Sequence, residues 1–182
     1  MGGAKMSGGK ATRPPVGTRA DYRWFTPVPT RWMDNDVYGH VNNVTYYSWI
    51  DTAVAQFLIE QGVLDLASSA EVGLVVETQC RYFAPIAFPD RVTCGVRCGR
   101  LGGASIRYEV GVFRNDEPSA SAEAHFIHVY VARAEQTRSV PLPVKLREAA
   151  ARLLLGPDGQ LTSGRGGVLQ DGTDPGGNPC PS

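Results

Sequence analysis

The chain has 182 residues, with Lys plus Arg and Asp plus Glu balanced at 18 each and hydrophobic residues at 42%. That length holds one domain with a real core, so no disulfide framework is needed to fold it. A formal net charge of zero leaves no global basic field for nucleic acid or an anionic membrane, and no apolar stretch approaches the ~20 residues of a bilayer span.

The N-terminus, MGGAKMSGGKATRPPVGTRADYR, lacks the apolar core of a secretory signal, which makes a cytoplasmic location the expectation. Residues 1–20, rich in Gly, Lys, Pro and Arg and without a period, are predicted to be a disordered tail. Tyr22 to Trp32 is apolar and extended in character, with Pro27 and Pro29 unsuited to a central strand. RWMDNDVYGHVNNVTYYSW, residues 31–49, then sets two acids, a histidine and two asparagines ahead of an apolar-periodic run. From Asn43 onward Tyr47, Ile50, Val54, Phe57, Leu58 and Gln61 recur at spacings of three and four. That is one face of a helix of about twenty residues, capped by Asn42 and ended by Gly62.

Beyond it the period drops to two. GLVVETQCRYF places Leu74, Val76, Thr78, Cys80 and Tyr82 on one side, and RVTCGVRCGRL does the same with Val92, Cys94, Val96 and Cys98. ASIRYEVGVFRND aligns Ile106, Tyr108, Val110 and Val112, and ASAEAHFIHVYVAR sets Phe126, His128 and Tyr130 against His125, Ile127, Val129 and Val131. Pro85 and Pro89-Asp90, Gly102-Gly103 and Asn115 to Pro118 punctuate these strands as turns. PVKLREAAARLL reads as a short amphipathic helix, and 156–182 as a second disordered tail rich in Gly, Pro, Asp and Ser. The folded domain is therefore expected over 21–155. One strand, one long helix and four strands make an α+β layer fold, the helix lying across a curled antiparallel five-stranded sheet. Such a sheet keeps open edges, and pairing with a second copy would cover one. Cys94 and Cys98 share a strand face with no histidine or second close pair to complete a metal site, so buried free thiols are expected and no metal.

The order β, long helix, β-β-β-β, together with DNDVYGHVNNVTY leading into the helix, resembles the hotdog-fold acyl-CoA thioesterases. The branch it is most similar to is named after 4-hydroxybenzoyl-CoA thioesterase. The likeness spans roughly residues 22 to 133, and ETQCRYFAPIAFPDRV is similar to that family's second strand and following turn. The resemblance implies hydrolysis of acyl-CoA without metal or other cofactor, in homodimers or homotetramers whose active sites lie between subunits. It makes Asp36 the catalytic carboxylate and assigns polarisation of the thioester carbonyl to the backbone N–H of Asn43 or its neighbour. His40 takes the place of an assisting histidine in some relatives. The related plant acyl-carrier thioesterases read D-x-N-x-H from the same carboxylate, whereas here Tyr38 fills the middle, so no asparagine role carries over there.

The chemistry fits these residue types. Thioester hydrolysis needs a stabilised oxyanion and an attacking water or carboxylate; a helix N-terminus supplies oriented donors, and Asp36 can serve as general base or nucleophile. Other readings stay open: Asp34 braces the loop or faces solvent, His40 orients the loop by hydrogen bonds, and Glu77 is either salt-bridged on its strand or a second carboxylate across an interface. Tyr46, Tyr47 and Trp49 read as packing, and Arg81, Arg91 or Arg97 as candidates for the CoA phosphates. The alternative function is a non-catalytic acyl-CoA-binding module on the same fold, with a hydratase as a third possibility. Nucleic acid is not an expected partner.

Overall fold

The computed structural model describes residues 15–154. The expected tail at 156–182, and most of the one at 1–20, lie outside the described residues. The elements run β1 (Trp24–Val28), α1 (Asn43–Glu60), β2 (Glu71–Tyr82), β3 (Val92–Leu101), β4 (Ser105–Arg114), β5 (Ala122–Ala132) and α2 (Val144–Arg152). One antiparallel sheet takes the five strands in the order β1-β3-β4-β5-β2, with β1 and β2 at its edges. This is the hotdog architecture: a long helix laid on one face of an antiparallel five-stranded sheet.

The long helix starts at the expected place because Asn42 caps it, its side chain accepting from the Val44 N–H at 3.0 Å. It buries Tyr46, Trp49, Ile50, Ala53, Val54, Phe57 and Leu58, the face that faces the sheet. The sheet answers with the alternation the sequence shows: Cys94, Val96, Ile106, Tyr108, Val110 and Val112 are all buried in one core with that helix. The two buried phenols Tyr108 and Tyr130 satisfy each other at 3.0 Å. α2 closes one end of the core with Leu146, Ala149, Ala150 and Leu153, and the Cys98 N–H donates to the Leu153 carbonyl at 3.0 Å.

Three details differ from the pattern read off the chain. The apolar run from Tyr22 to Trp32 yields only five residues of strand, flanked by 3-10 turns at Arg19–Asp21 and Trp32–Asp34, because Pro29 follows directly on its last pairs. In β2 the alternation is broken by a bulge between Val75 and Glu77, which places Val75 opposite His128 and Thr78 opposite Phe126. Leu74 and Thr78 therefore face opposite sides of the sheet, since one inserted residue flips everything beyond it. Residues 17 to 19 also make tertiary contacts. The Gly17 N–H donates to Glu123 Oε1 at 2.7 Å, and the Arg19 guanidinium binds the carbonyls of Asn115 and Glu117 while lying 4.7 Å over the Phe113 ring.

Candidate active site

The loop before α1 is built by its own polar groups. Asp34 is buried and its carboxylate accepts from Arg31 three times: the N–H at 2.6 Å, Nε at 3.1 Å and Nη2 at 2.9 Å. Asp34 thus braces the loop. Two residues on, the Asp36 N–H donates to the His40 carbonyl at 2.8 Å and the Gly39 N–H returns to the Asp36 carbonyl at 3.1 Å. Gly39 makes this reversal with φ +79, a conformation that only glycine adopts without strain. The Asn42 N–H then reaches the Asp34 carbonyl at 2.8 Å, the Val41 N–H the Ile86 carbonyl at 2.8 Å, and Asn35 Oδ1 accepts from the Phe88 N–H at 3.0 Å. The acids are folded back against the helix start and pinned to the segment after β2.

At the head of α1 the Asn43 N–H has no acceptor among the described residues. It is one of the donors every helix leaves over at its first turn. A cleft of about 310 Å³ opens there, lined by His40, Val41, Asn43, Tyr46, Tyr82, Phe83, Ala84 and Pro85. The Tyr82 hydroxyl donates to the Asn43 carbonyl at 3.4 Å, and its ring meets Tyr46 edge-on at 5.1 Å. Burial pushes the Tyr46 phenol up to about 12 and raises Tyr82 as well, so both are neutral hydroxyls near neutral pH. Of the expected site residues, His40 and Asn43 line this cleft together. The Asp36 side chain does not: it is half-buried beside it, with Oδ1 accepting from the Tyr38 N–H at 2.8 Å. The sequence reading takes Tyr46 as packing and does not single out Tyr82; for Tyr82 the signal is the RYFAP segment, which carries both the strand end and the cleft wall.

The remaining candidates take structural places. His125 and His128 lie on opposite faces of β5, as the alternation requires. Glu77 accepts from His125 Nε2 at 3.1 Å, while Arg107 Nη2 donates to the other ring nitrogen at 3.0 Å. With Arg107 as donor, the neutral ring carries its proton on Nε2. Arg81, Arg91 and Arg97 are each ion-paired, with Glu123 at 2.7 Å, Asp116 at 2.9 Å and Glu109 at 2.7 Å. Arg81, Arg97, Arg107, Glu109 and Glu123 line a polar cavity of about 220 Å³ on the sheet face away from α1. Burial pushes the Cys94 thiol up to about 12 and Cys98 to about 11, which keeps both protonated. Among the described residues no group of His, Cys, Asp and Glu could hold a metal ion, and no helix is long and apolar enough to cross a membrane.

Known proteins share the sequence pattern and the fold. The thioesterase superfamily pattern matches residues 38–121, beginning two residues after Asp36. Among solved structures, the PA5185 protein from Pseudomonas aeruginosa strain PAO1 is 49% identical, over 76% of this chain and 96% of that one, with a TM-score of 0.73. A thioesterase from Thermus thermophilus, complexed with coenzyme A and Zn, is 29% identical, over 73% and 95%, with a TM-score of 0.61. The BH1999 gentisyl-coenzyme A thioesterase is 25% identical, over 70% and 99%, also at 0.61. No curated protein matches the chain. The chain belongs to the thioesterase superfamily.

Proposed function

We propose that the protein is an acyl-CoA thioesterase, hydrolysing the thioester to a free acid and CoA. The observation that carries this reading is the unpaired Asn43 amide at the head of α1, opening onto a cleft shared with His40 in a chain of this superfamily. A thioester carbonyl seated there would have its developing oxyanion held by a donor that needs no reorganisation, worth about 3 kcal/mol in comparable sites. Asp36 supplies the base: it takes a proton from water, the hydroxide adds to the carbonyl carbon, the C–S bond breaks and the thiolate leaves as CoA. In the alternative route the carboxylate itself attacks, forming an anhydride that water then opens. His40 orients the loop, its carbonyl already binding the Asp36 amide. The bound CoA of the Thermus relative and the gentisyl-CoA named for the BH1999 protein support a CoA thioester as substrate.

The active assembly in this reading is a homodimer or homotetramer. β2 is a twelve-residue edge strand that exposes Leu74, Val75 and Val76, an open template for a second copy. Trp32, Met33, Val37, Tyr38 and Val44, around the catalytic loop, are each at least 70% exposed, apolar surface that a partner would cover while bringing its own groups to Asp36. The location is cytoplasmic. The test is a panel of acyl-CoA thioesters read as released thiol, with the mass of the protein in solution measured alongside. Thiol release from at least one acyl class by an oligomer is the expected result; a folded protein that binds acyl-CoA and leaves all of them intact would favour the binding-module reading instead.

A further inference from the structure

The sheet face away from α1 carries its polar residues in two rows set by strand register. Gln79, His125, Glu109 and Arg97 are successive partners across β2, β5, β4 and β3; beside them run Arg81, Glu123, Gly111 and Gly95. The glycines make room for Tyr22: a Cβ at Gly111 would come within 2.6 Å of its ring, and one at Gly95 within 3.0 Å. Between these rows and Tyr22 lies the polar cavity of about 220 Å³. Its acceptors are already taken. Glu109 accepts from Arg107 Nε at 3.0 Å and from Arg97 Nε at 2.7 Å. Glu123 accepts from the Gly17 N–H and Arg81 Nη2, both at 2.7 Å, and both His125 nitrogens are bonded. Its donors are not. Among the described residues Arg81 Nε and Nη1, Arg97 Nη2 and Arg107 Nη1 have no hydrogen-bond partner. Neither has the hydroxyl of Tyr22, a residue only 4% exposed.

We propose that this cavity binds a phosphate group, held by Arg81, Arg97, Arg107 and the Tyr22 hydroxyl on the sheet face opposite α1. The inference stands independently of the thioesterase reading. A cavity whose acceptors are spent and whose donors are left over selects a ligand that only accepts. Guanidinium forks match phosphate oxygens in both spacing and charge. The charge of the lining agrees: three guanidinium groups face two carboxylates, and His125 is neutral because Arg107 donates to its Nδ1. The other nearby carboxylates turn elsewhere, Asp21 to Thr18 and Glu77 to His125, and neither lines the cavity. Glu109 and Glu123 hold the arginines in place before a ligand arrives. Burial raises the Tyr22 phenol, so its O–H remains a donor. The volume takes a phosphate group with several waters. Such a group comes either free or on the nucleotide of CoA. Arg81 stands between the two places, its guanidinium also 5.6 Å over the ring of Phe83, which lines the helix-head cleft.

The test titrates inorganic phosphate, and separately the adenosine bisphosphate of CoA without its pantetheine, into the full-length protein by calorimetry at constant ionic strength. The wild type should bind at least one of them saturably, at one site per chain. Arg107→Gln should weaken that binding by about tenfold or more. Tyr22→Phe keeps the ring over Gly111 and removes only an unpaired hydroxyl, so it should fold as the wild type does and bind about threefold or more weakly. A bisphosphate that binds at least about tenfold tighter than phosphate, and is displaced by it, assigns the site to the nucleotide of CoA; equal affinities assign it to free phosphate. No saturable binding of either probe by the wild type, or binding that Tyr22→Phe leaves unchanged, would overturn the proposal. Thiol release enters neither arm, so this site and the thioesterase reading stand or fall separately.

Discussion

The Tyr82 hydroxyl donates to the Asn43 carbonyl at 3.4 Å, tying the last residue of β2 to the first residue of α1. The residue whose amide we propose polarises the thioester carbonyl is thereby tied to a strand that starts 28 positions further along the chain. Tyr82→Phe removes that tie but keeps the ring against Tyr46. Kinetics on the best acyl-CoA should show kcat/KM reduced by up to about tenfold, and urea unfolding a stability change below about 1 kcal/mol.

Asp34 and Asp36 are predicted to separate cleanly. Asp34→Ala deletes a buried carboxylate with three donors, and should cost about 2 kcal/mol in chemical denaturation. Asp36→Ala deletes a half-buried group with one backbone partner, so its stability should change by under about 1 kcal/mol. Its turnover should fall at least about a hundredfold. Unaltered turnover in Asp36→Ala would remove that residue from the chemistry.

Asn42→Ala leaves the Val44 N–H without its cap. Thermal or urea unfolding should register a loss of about 1 kcal/mol.

His128 should impose a pH dependence on stability. Its folded pKa is lowered by burial to about 4 from an ordinary 6.5, the Asp51 charge opposing only in part. Above pH 6.5 both states are neutral and the residue contributes nothing to the slope. Between 6.5 and about 4 the unfolded chain binds a proton that the folded ring refuses, so stability declines as pH falls, by about 3 kcal/mol in total, and levels off below. Denaturation midpoints across that range should follow this slope in the wild type and lose that share of it in His128→Phe.

Thiol accessibility should follow burial. In native protein carrying Cys180→Ser, a thiol reagent should modify Cys80, which is half-buried, and spare Cys94 and Cys98 until the protein is unfolded. Mass spectrometry of the labelled peptides reads this directly and sets the background for any thiol-release assay.

Much of the fold was legible because its signals are local. Asn42 before an apolar three-four spacing predicts α1, and Cys94, Val96, Ile106 and Val110 in alternation predict buried strand faces. The bulge at Val75/Glu77 was not legible, since VVET reads equally well as an unbroken alternation and only pairing with His128 and Phe126 reveals the inserted residue. The same holds for residues 17 to 19, which are anchored by backbone groups and one arginine rather than by apolar side chains that a composition scan detects.

By itself the sequence determined the element order, the Asn42 cap and the placing of Asp36, His40 and Asn43 around the start of one helix, because caps and periodicity act over a few residues. Tertiary structure alone decided that Tyr82 lines the cleft, that Glu77 is occupied by His125, and that the His128 ring is buried with no hydrogen-bond partner for either nitrogen among the described residues. Those outcomes depend on which strands become neighbours and in what register. Register is a property of paired strands, which a single run of residues does not contain.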